Sequence, residues 1–352
     1  MPLPLVPKPA RGAEETYARV RDQARVQLAG RRRAPVHELL DVTEAQGLCR
    51  LPEPSAGDIF LDFEGDPYAG SGGLEYLLGC TTGTAEEPHY HARWALDASA
   101  ERASFEAFID LAMARLERWP VFHIYHFAPY EPAALKRLMG RYATREDELD
   151  RLLRAGRFVD LHRIVRQALR ASVERYALKE LEAFYGFERA VELRTGSLHL
   201  RAFERALELG DADTVPAATR DAIEGYNRDD CISTMRLRDW LERLRGERVA
   251  AGDEIPRPEL ESGTPPEALS ERQQRVQALY ERLVADLSAD PEERSDEQRA
   301  RWLLANLLDW HRREKKAVWW EYFRLRELPD GDLLEERAAL AGLELVARVV
   351  TP

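Results

Sequence analysis

Asp62 and Glu64 alternate with apolar residues in Ile59-Phe60-Leu61-Asp62-Phe63-Glu64-Gly65. Residues i and i+2 of a strand face the same side, so both carboxylates would project from one face of a buried, central strand. Two such groups repel each other unless a cation sits between them, and burying them is costly unless they bind metal or are otherwise paired. The pattern points to a divalent metal, and so to metal-assisted phosphoryl chemistry.

A second acidic position lies in a strongly helical stretch, Tyr226-Asn227-Arg228-Asp229-Asp230. Positions i and i+4 share a helix face, so the Tyr226 phenol and the Asp230 carboxylate point into one space. A core tyrosine near a surface aspartate is the plainer reading of that pair alone. Asp229 lies about 100° around the helix from Asp230 and need not share its face. A third segment, Phe122-His123-Ile124-Tyr125-His126-Phe127-Ala128-Pro129-Tyr130-Glu131-Pro132, carries Glu131 to the start of a helix. The helix dipole favours a carboxylate there in any case. His123 and His126 read as structural histidines rather than ligands.

The elements that must position these groups follow from periodicity. Strands are expected at 59–65, at 76–81 after the Gly70-Ser71-Gly72-Gly73 turn, at 88–96, at 121–125 and around Phe158-Val159-Asp160-Leu161. Residues 99–117 have a helical stripe of Phe105, Phe108, Ile109, Ala112 and Leu116. Pro129 suits the first turn of a helix to about residue 141. Further helices are expected at 162–170, 176–185, 199–209 and from Pro216 to about residue 245. Three strands in an antiparallel meander, followed by crossover strands, predict an α/β fold with a mixed sheet flanked by helices.

Outside that sheet, 1–54 reads as an N-terminal helical arm, with a helix at 14–30. The sheet domain spans 55–250. Residues 251–266, rich in Gly, Pro and Glu, form a linker. Residues 267–352 form a helical C-terminal region, with helices at 267–288 and 296–326 as an antiparallel pair. Leu343-Glu344-Leu345-Val346-Ala347-Arg348-Val349-Val350 reads as a strand that has just begun, which suggests a further domain beyond it.

Composition bounds these readings. The 352 residues are 44% hydrophobic and 32% charged, which fits a soluble chain with a sizeable core, and no apolar run reaches the roughly 20 residues of a membrane span. Cys49, Cys80 and Cys231 lack metal-ligand spacing, so reduced thiols in the cytoplasm are expected. The net charge of −12 disfavours a pure nucleic-acid-binding module. It is compatible with a nuclease that gathers carboxylates at its metal and keeps only a local basic groove. The stretch 151–179, with Arg163, Arg166, Arg170 and Lys179, is either that groove or a solvated arginine-rich face.

In their order, the three acidic motifs resemble those of the DEDD (DnaQ-like) 3′–5′ exonucleases on the ribonuclease H-like fold. The branch most similar is the YprB-like one found inside bacterial RecB-like nuclease–helicase proteins. Asp62-Phe63-Glu64 matches the first motif, and Tyr226-Asn227-Arg228-Asp229-Asp230 the tyrosine (DEDDy) form of the third. His126-Phe127-Ala128-Pro129-Tyr130-Glu131 stands where the second usually has an aromatic followed by Asp. Glu131 is therefore taken as the fourth carboxylate, with Asp160 as the competing candidate.

The resemblance covers about residues 57–245 and implies two Mg²⁺ or Mn²⁺ ions held by Asp62, Glu64, Glu131 and Asp230. It implies that Tyr226 orients the attacking water, and that 3′ ends, single-stranded DNA above all, yield nucleoside 5′-monophosphates. Nothing in the sequence reads the sugar, so an exoribonuclease remains open, as does a degenerate domain that only binds or couples nucleic acid. Asp309-Trp310-His311-Arg312-Arg313-Glu314-Lys315-Lys316-Ala317-Val318-Trp319-Trp320 resembles a segment that precedes the helicase in those proteins, which implies a helicase domain as partner. There Arg312, Arg313, Lys315 and Lys316 would meet phosphates while aromatics stack bases. Alternatively, Trp319, Trp320 and Phe323 pack this helix against a neighbouring domain. Oligomeric state is not legible.

Overall fold

The computed structural model describes residues 14–32, 34–70, 72–263, 267–287 and 294–326, with isolated positions between 328 and 343. They fall into two compact units, one within 1–138 and 145–264, the other within 139–144 and 265–352. Residues 344–350 of the expected last strand lie outside the described residues.

The first unit begins with α1 (Glu14–Arg32) and β1 (His37–Leu39). The antiparallel meander follows as β2 (Ile59–Asp66), β3 (Leu74–Gly83) and β4 (Pro88–Trp94). After α2 (Ala98–Arg118), β5 (Ile124–His126) returns parallel to β2. Then come α3 (Tyr130–Tyr142), α4 (Glu146–Arg154) and β6 (Phe158–Asp160), the last parallel to β5. The sheet order is β4-β3-β2-β5-β6, a mixed five-stranded sheet flanked by helices, as the meander-then-crossover pattern predicts.

Each boundary has a local cause. Asp97 caps α2 by accepting from Ala100 N–H, and the predicted stripe of Phe105, Phe108, Ile109, Ala112 and Leu116 is buried. Burial of each large apolar side chain contributes roughly 1.5–3 kcal/mol. The strand expected at 121–125 starts later, at Ile124. Phe122 N–H closes a turn on Trp119 O, and His123 N–H goes to the Asp58 side chain, so His123 offers the ladder only its carbonyl.

The chain then runs through α5 (Leu161–Ala168), β7 (Leu169–Ala171), α6 (Leu178–Tyr185), α7 (Leu193–Leu209) and α8 (Ala217–Ala250). Pro216 stands at the N-cap of α8, which packs across β2 and β3. Under it lies a core in which Phe60 and Tyr125 stack at 5.2 Å, beside Met235, Leu237 and Trp240. The β1–β7 ribbon has no sequence counterpart in the expected elements. It joins the N-terminal segment to residues 169–171, and Gln23 of α1 donates to Ala171 O alongside.

The second unit holds α9 (Glu267–Val284), α10 (Asp296–Leu307) and α11 (Trp310–Arg326). A capping box of Ser295 and Gln298 opens α10, and α10 packs on α9. The single helix expected over 296–326 is thus two. Leu308 is extended and Asp309 takes a left-handed conformation (φ 55°), which breaks the hydrogen-bond ladder between them. Among the described residues no helix is long and apolar enough to cross a membrane.

Candidate metal centre

Strand alternation places Asp62 and Glu64 on one face of β2, while Leu61 and Phe63 of the other face are buried. Helix α8 crosses that face and brings in Tyr226 and Asp230, one turn apart. Each of Asp62, Glu64 and Asp230 offers a carboxylate oxygen, and these oxygens all lie within 4.8 Å of one another. Asp229, by contrast, turns away and accepts from Val191 N–H at 2.8 Å.

Burial pushes the Asp62 carboxyl well above the usual carboxylate range, and the charges of Asp230 and Glu64 push it further. Glu64 is driven up to about 8, by burial first and Asp230 next. Three carboxylates enclosed in protein at this separation call for positive charge between them, and an oxygen-only donor set suits a hard divalent cation.

Some positive charge is already supplied by the chain. Arg189 Nη2 donates to Asp230 Oδ1 at 2.5 Å, and the same guanidinium grips Glu182. Lys179 of α6 donates to the Tyr226 hydroxyl oxygen, and its ammonium stands 3.5 Å from Asp230 Oδ2. Burial works against the lysine charge, but Asp230 and the Tyr226 hydrogen bond outweigh it and raise its pKa. The Tyr226 ring is seated against Gly196 of α7, where any Cβ would run into it.

Glu131 sits in the first turn of α3, buried, with Oε2 lacking a hydrogen-bond partner. Its carboxyl is raised by burial above all, with Asp160 and Glu64 adding to the rise, so it faces the same acidic region without joining the 4.8 Å triplet. An orphaned buried carboxylate oxygen in that acidic region fits a cation-binding role. Nearby, His126 Nδ1 donates to Ala128 O at 2.6 Å and stands 3.8 Å from Glu131 Oε2.

Asp160 is engaged differently. Its Oδ1 accepts from Ala128 N–H and His162 N–H, both at 2.9 Å, and from Arg163 N–H at 3.4 Å. It is the N-cap of α5 and the tether of Ala128, whose φ of 72° is strained for a residue with a side chain. The carboxylate therefore holds in place the loop that delivers Glu131.

The basic residues singled out from the sequence are dispersed. Arg163 and Arg166 are half-buried on α5, and Arg170 of β7 stands 3.8 Å from Asp22 of α1. Lys179 contacts both Asp230 and Tyr226. In the second unit, Arg312 pairs with Asp309, Lys315 is exposed and Lys316 is half-buried, while the Arg313 side chain lies outside the described residues. There Trp319, Tyr322 and Phe323 form a half-exposed ring cluster, with centroids 5.6–6.0 Å apart.

Residues whose part the sequence does not announce are Arg189 and Glu182 at Asp230, and Asn227, which donates to Asp62, accepts from Tyr90 and lies against Gly79. Asn227 alone had a visible signal, because only two asparagines occur in the chain and one stands inside the Tyr226–Asp230 turn. No curated protein and no solved structure matches the chain. A profile of the RNase H superfamily matches residues 59–242, slightly more than half of the sequence, including all of β2 and the part of α8 that carries Tyr226 and Asp230. The chain belongs to the RNase H superfamily.

Proposed function

We propose that this chain is a two-metal 3′–5′ exonuclease of the DEDDy type, in the YprB-like branch, acting on DNA 3′ ends with a preference for single strands. The observation that carries the reading is the convergence of Asp62, Glu64 and Asp230, with Tyr226 one helical turn from Asp230. Asp62, Glu64 and Asp230 would hold one Mg²⁺ or Mn²⁺, and Asp62 with Glu131 would hold a second. Bound there, divalent cations lower the pKa of the attacking water and stabilise the leaving 3′ oxygen.

The chain's own residues complete the reading. Lys179 donates to the Tyr226 oxygen, so the phenolic hydrogen is free to point elsewhere and orient a water. Burial raises the Tyr226 pKa, and that suits orientation rather than use as the main base. Lys179, about one-third exposed beside Asp230, is a natural neighbour for a phosphate oxygen. The exonuclease is assigned to 55–250 and the linker to 251–266. Residues 267–352 are assigned to coupling with a helicase domain of the same parent protein. Three buried cysteines without a disulfide suit a reducing cytoplasm.

The test uses 5′-labelled DNA and RNA, with free and blocked 3′ ends, and Mg²⁺ or Mn²⁺. Stepwise shortening of free-ended single-stranded DNA is expected, with protection by the 3′ block and no release by Asp62→Ala or Asp230→Ala. Cleavage despite the block would make it an endonuclease, and preference for RNA an exoribonuclease. No cleavage of any substrate by wild type would sink the catalytic reading.

A further inference from the structure

We infer that Asn227, held in turn by Tyr90, is a positioning residue that aims Asp62 at the cation, and that position 79 is glycine to let the Asn227 amide pass. The inference rests on reading the acidic triplet as a metal centre, and deepens it.

Asn227 is fully buried in α8. A buried carboxamide is costly unless both of its ends are satisfied. Here Nδ2 donates to Asp62 Oδ2 at 2.8 Å and to Asp62 O at 3.1 Å, while Oδ1 accepts from the Tyr90 hydroxyl at 2.9 Å. The partners decide which way the amide faces. A carboxylate and a carbonyl can only accept from it, and Tyr90 supplies a donor for the other end.

The path to Asp62 runs over β3. Asp62 pairs with Gly79 across the β2–β3 ladder, and a Cβ on Gly79 would collide with Asn227 Oδ1. Tyr90 comes from the next strand, opposite Thr81. Three adjacent strands and one helix therefore converge on Asp62, and the same amide also bonds the neighbouring Glu64 carboxylate, holding it on the same face. That is more than helix packing needs, since an apolar side chain would fill the space without buried polar atoms.

The two ends of the triplet are handled by opposite means. Asp230 is met by Arg189 and Lys179, which offset its charge. Asp62 is met by a neutral amide, which fixes one oxygen and leaves the negative charge and the other oxygen for a cation. Partners of this kind behind a metal ligand are worth about 10- to 100-fold in metal affinity or activity.

The deciding experiment is Mn²⁺ binding to purified wild type, Tyr90→Phe and Asn227→Leu, by calorimetry or loss of the free-ion magnetic resonance signal. Thermal melts in chelator run alongside. Both variants are expected to bind Mn²⁺ about 10- to 100-fold more weakly. On DNA, KM should be unchanged and the lost rate should return as Mn²⁺ is raised. Should Asn227→Leu not fold, Tyr90→Phe carries the test, because it removes one oxygen and leaves the ring. Folded Tyr90→Phe with wild-type Mn²⁺ affinity would overturn the positioning role. Wild type that takes up no Mn²⁺ would overturn the metal centre itself, whatever the variants do.

Discussion

Arg189 bonds Asp230 at 2.5 Å, so the helix carboxylate of the acidic triplet is already paired with a buried cation from the chain. The guanidinium also holds Glu182, and that carboxylate accepts from Ser233. Arg189 is thus the centre of a small buried ionic network that ties the 178–189 region to α8.

Removing one partner of a buried ion pair costs about 3–5 kcal/mol, because the other charge is left uncompensated. Arg189→Met is expected to lose that much stability in chelator, measured by urea unfolding. The loss should shrink with saturating Mn²⁺, which would take over part of the compensation of Asp230. An equal loss with and without Mn²⁺ would show that the ion does not share this carboxylate.

Mutual repulsion among Asp62, Glu64 and Asp230 makes the second prediction. Mg²⁺ or Mn²⁺ should raise the melting temperature, by the equivalent of about 2.7 kcal/mol when the ion is at a hundred times its dissociation constant. Asp62→Asn, which takes a ligand from both ions, should melt no higher with the ion than without it, and Asp230→Asn should keep only part of the rise. A shift that persists undiminished in both variants would place the cation elsewhere.

Tyr226→Phe keeps the ring that Gly196 accommodates and removes only the hydroxyl that Lys179 contacts. Nuclease turnover is expected to fall by about 10- to 100-fold, the scale set by misplacing a reacting group. Mn²⁺ affinity should stay at the wild-type level. Loss of Mn²⁺ binding would contradict the water-orienting role.

His123 supplies a pH dependence away from the centre. Burial first, then Arg157 and Arg238, pull its pKa down from 6.5 to about 3, although Asp58 Oδ1 stands 3.9 Å from its ring. The folded protein therefore binds fewer protons than the unfolded chain between these values. Its stability contribution is present above pH 6.5 and is lost as pH falls toward 3, by about 2 kcal/mol at pH 5. His123→Gln should lose less stability than wild type between about pH 7 and 5 in urea titrations. Parallel losses would mean that His123 is not the group responsible.

Much of this was legible because it is periodic. Asp62 and Glu64 share a face through the two-residue repeat of a strand, and Tyr226 and Asp230 through one turn of helix, so adjacent sequence suffices. The buried stripe of α2 and the meander followed by two crossover strands were readable for the same reason.

Contacts between distant segments were not. Arg189 meets Asp230 across 41 residues and Asn227 meets Asp62 across 165, and no local pattern encodes either. The pairing of β1 with β7 is likewise invisible, since three-residue strands carry too little alternation to register. Asp160 and Glu131 look alike as single acidic residues, but three backbone N–H groups converge on one and leave an oxygen of the other without a partner. The sequence by itself determined which carboxylates share a face, because that depends only on the repeat of each element. Tertiary structure alone decided which cation or amide meets each of them, because those partners arrive from other strands and helices once the chain has closed.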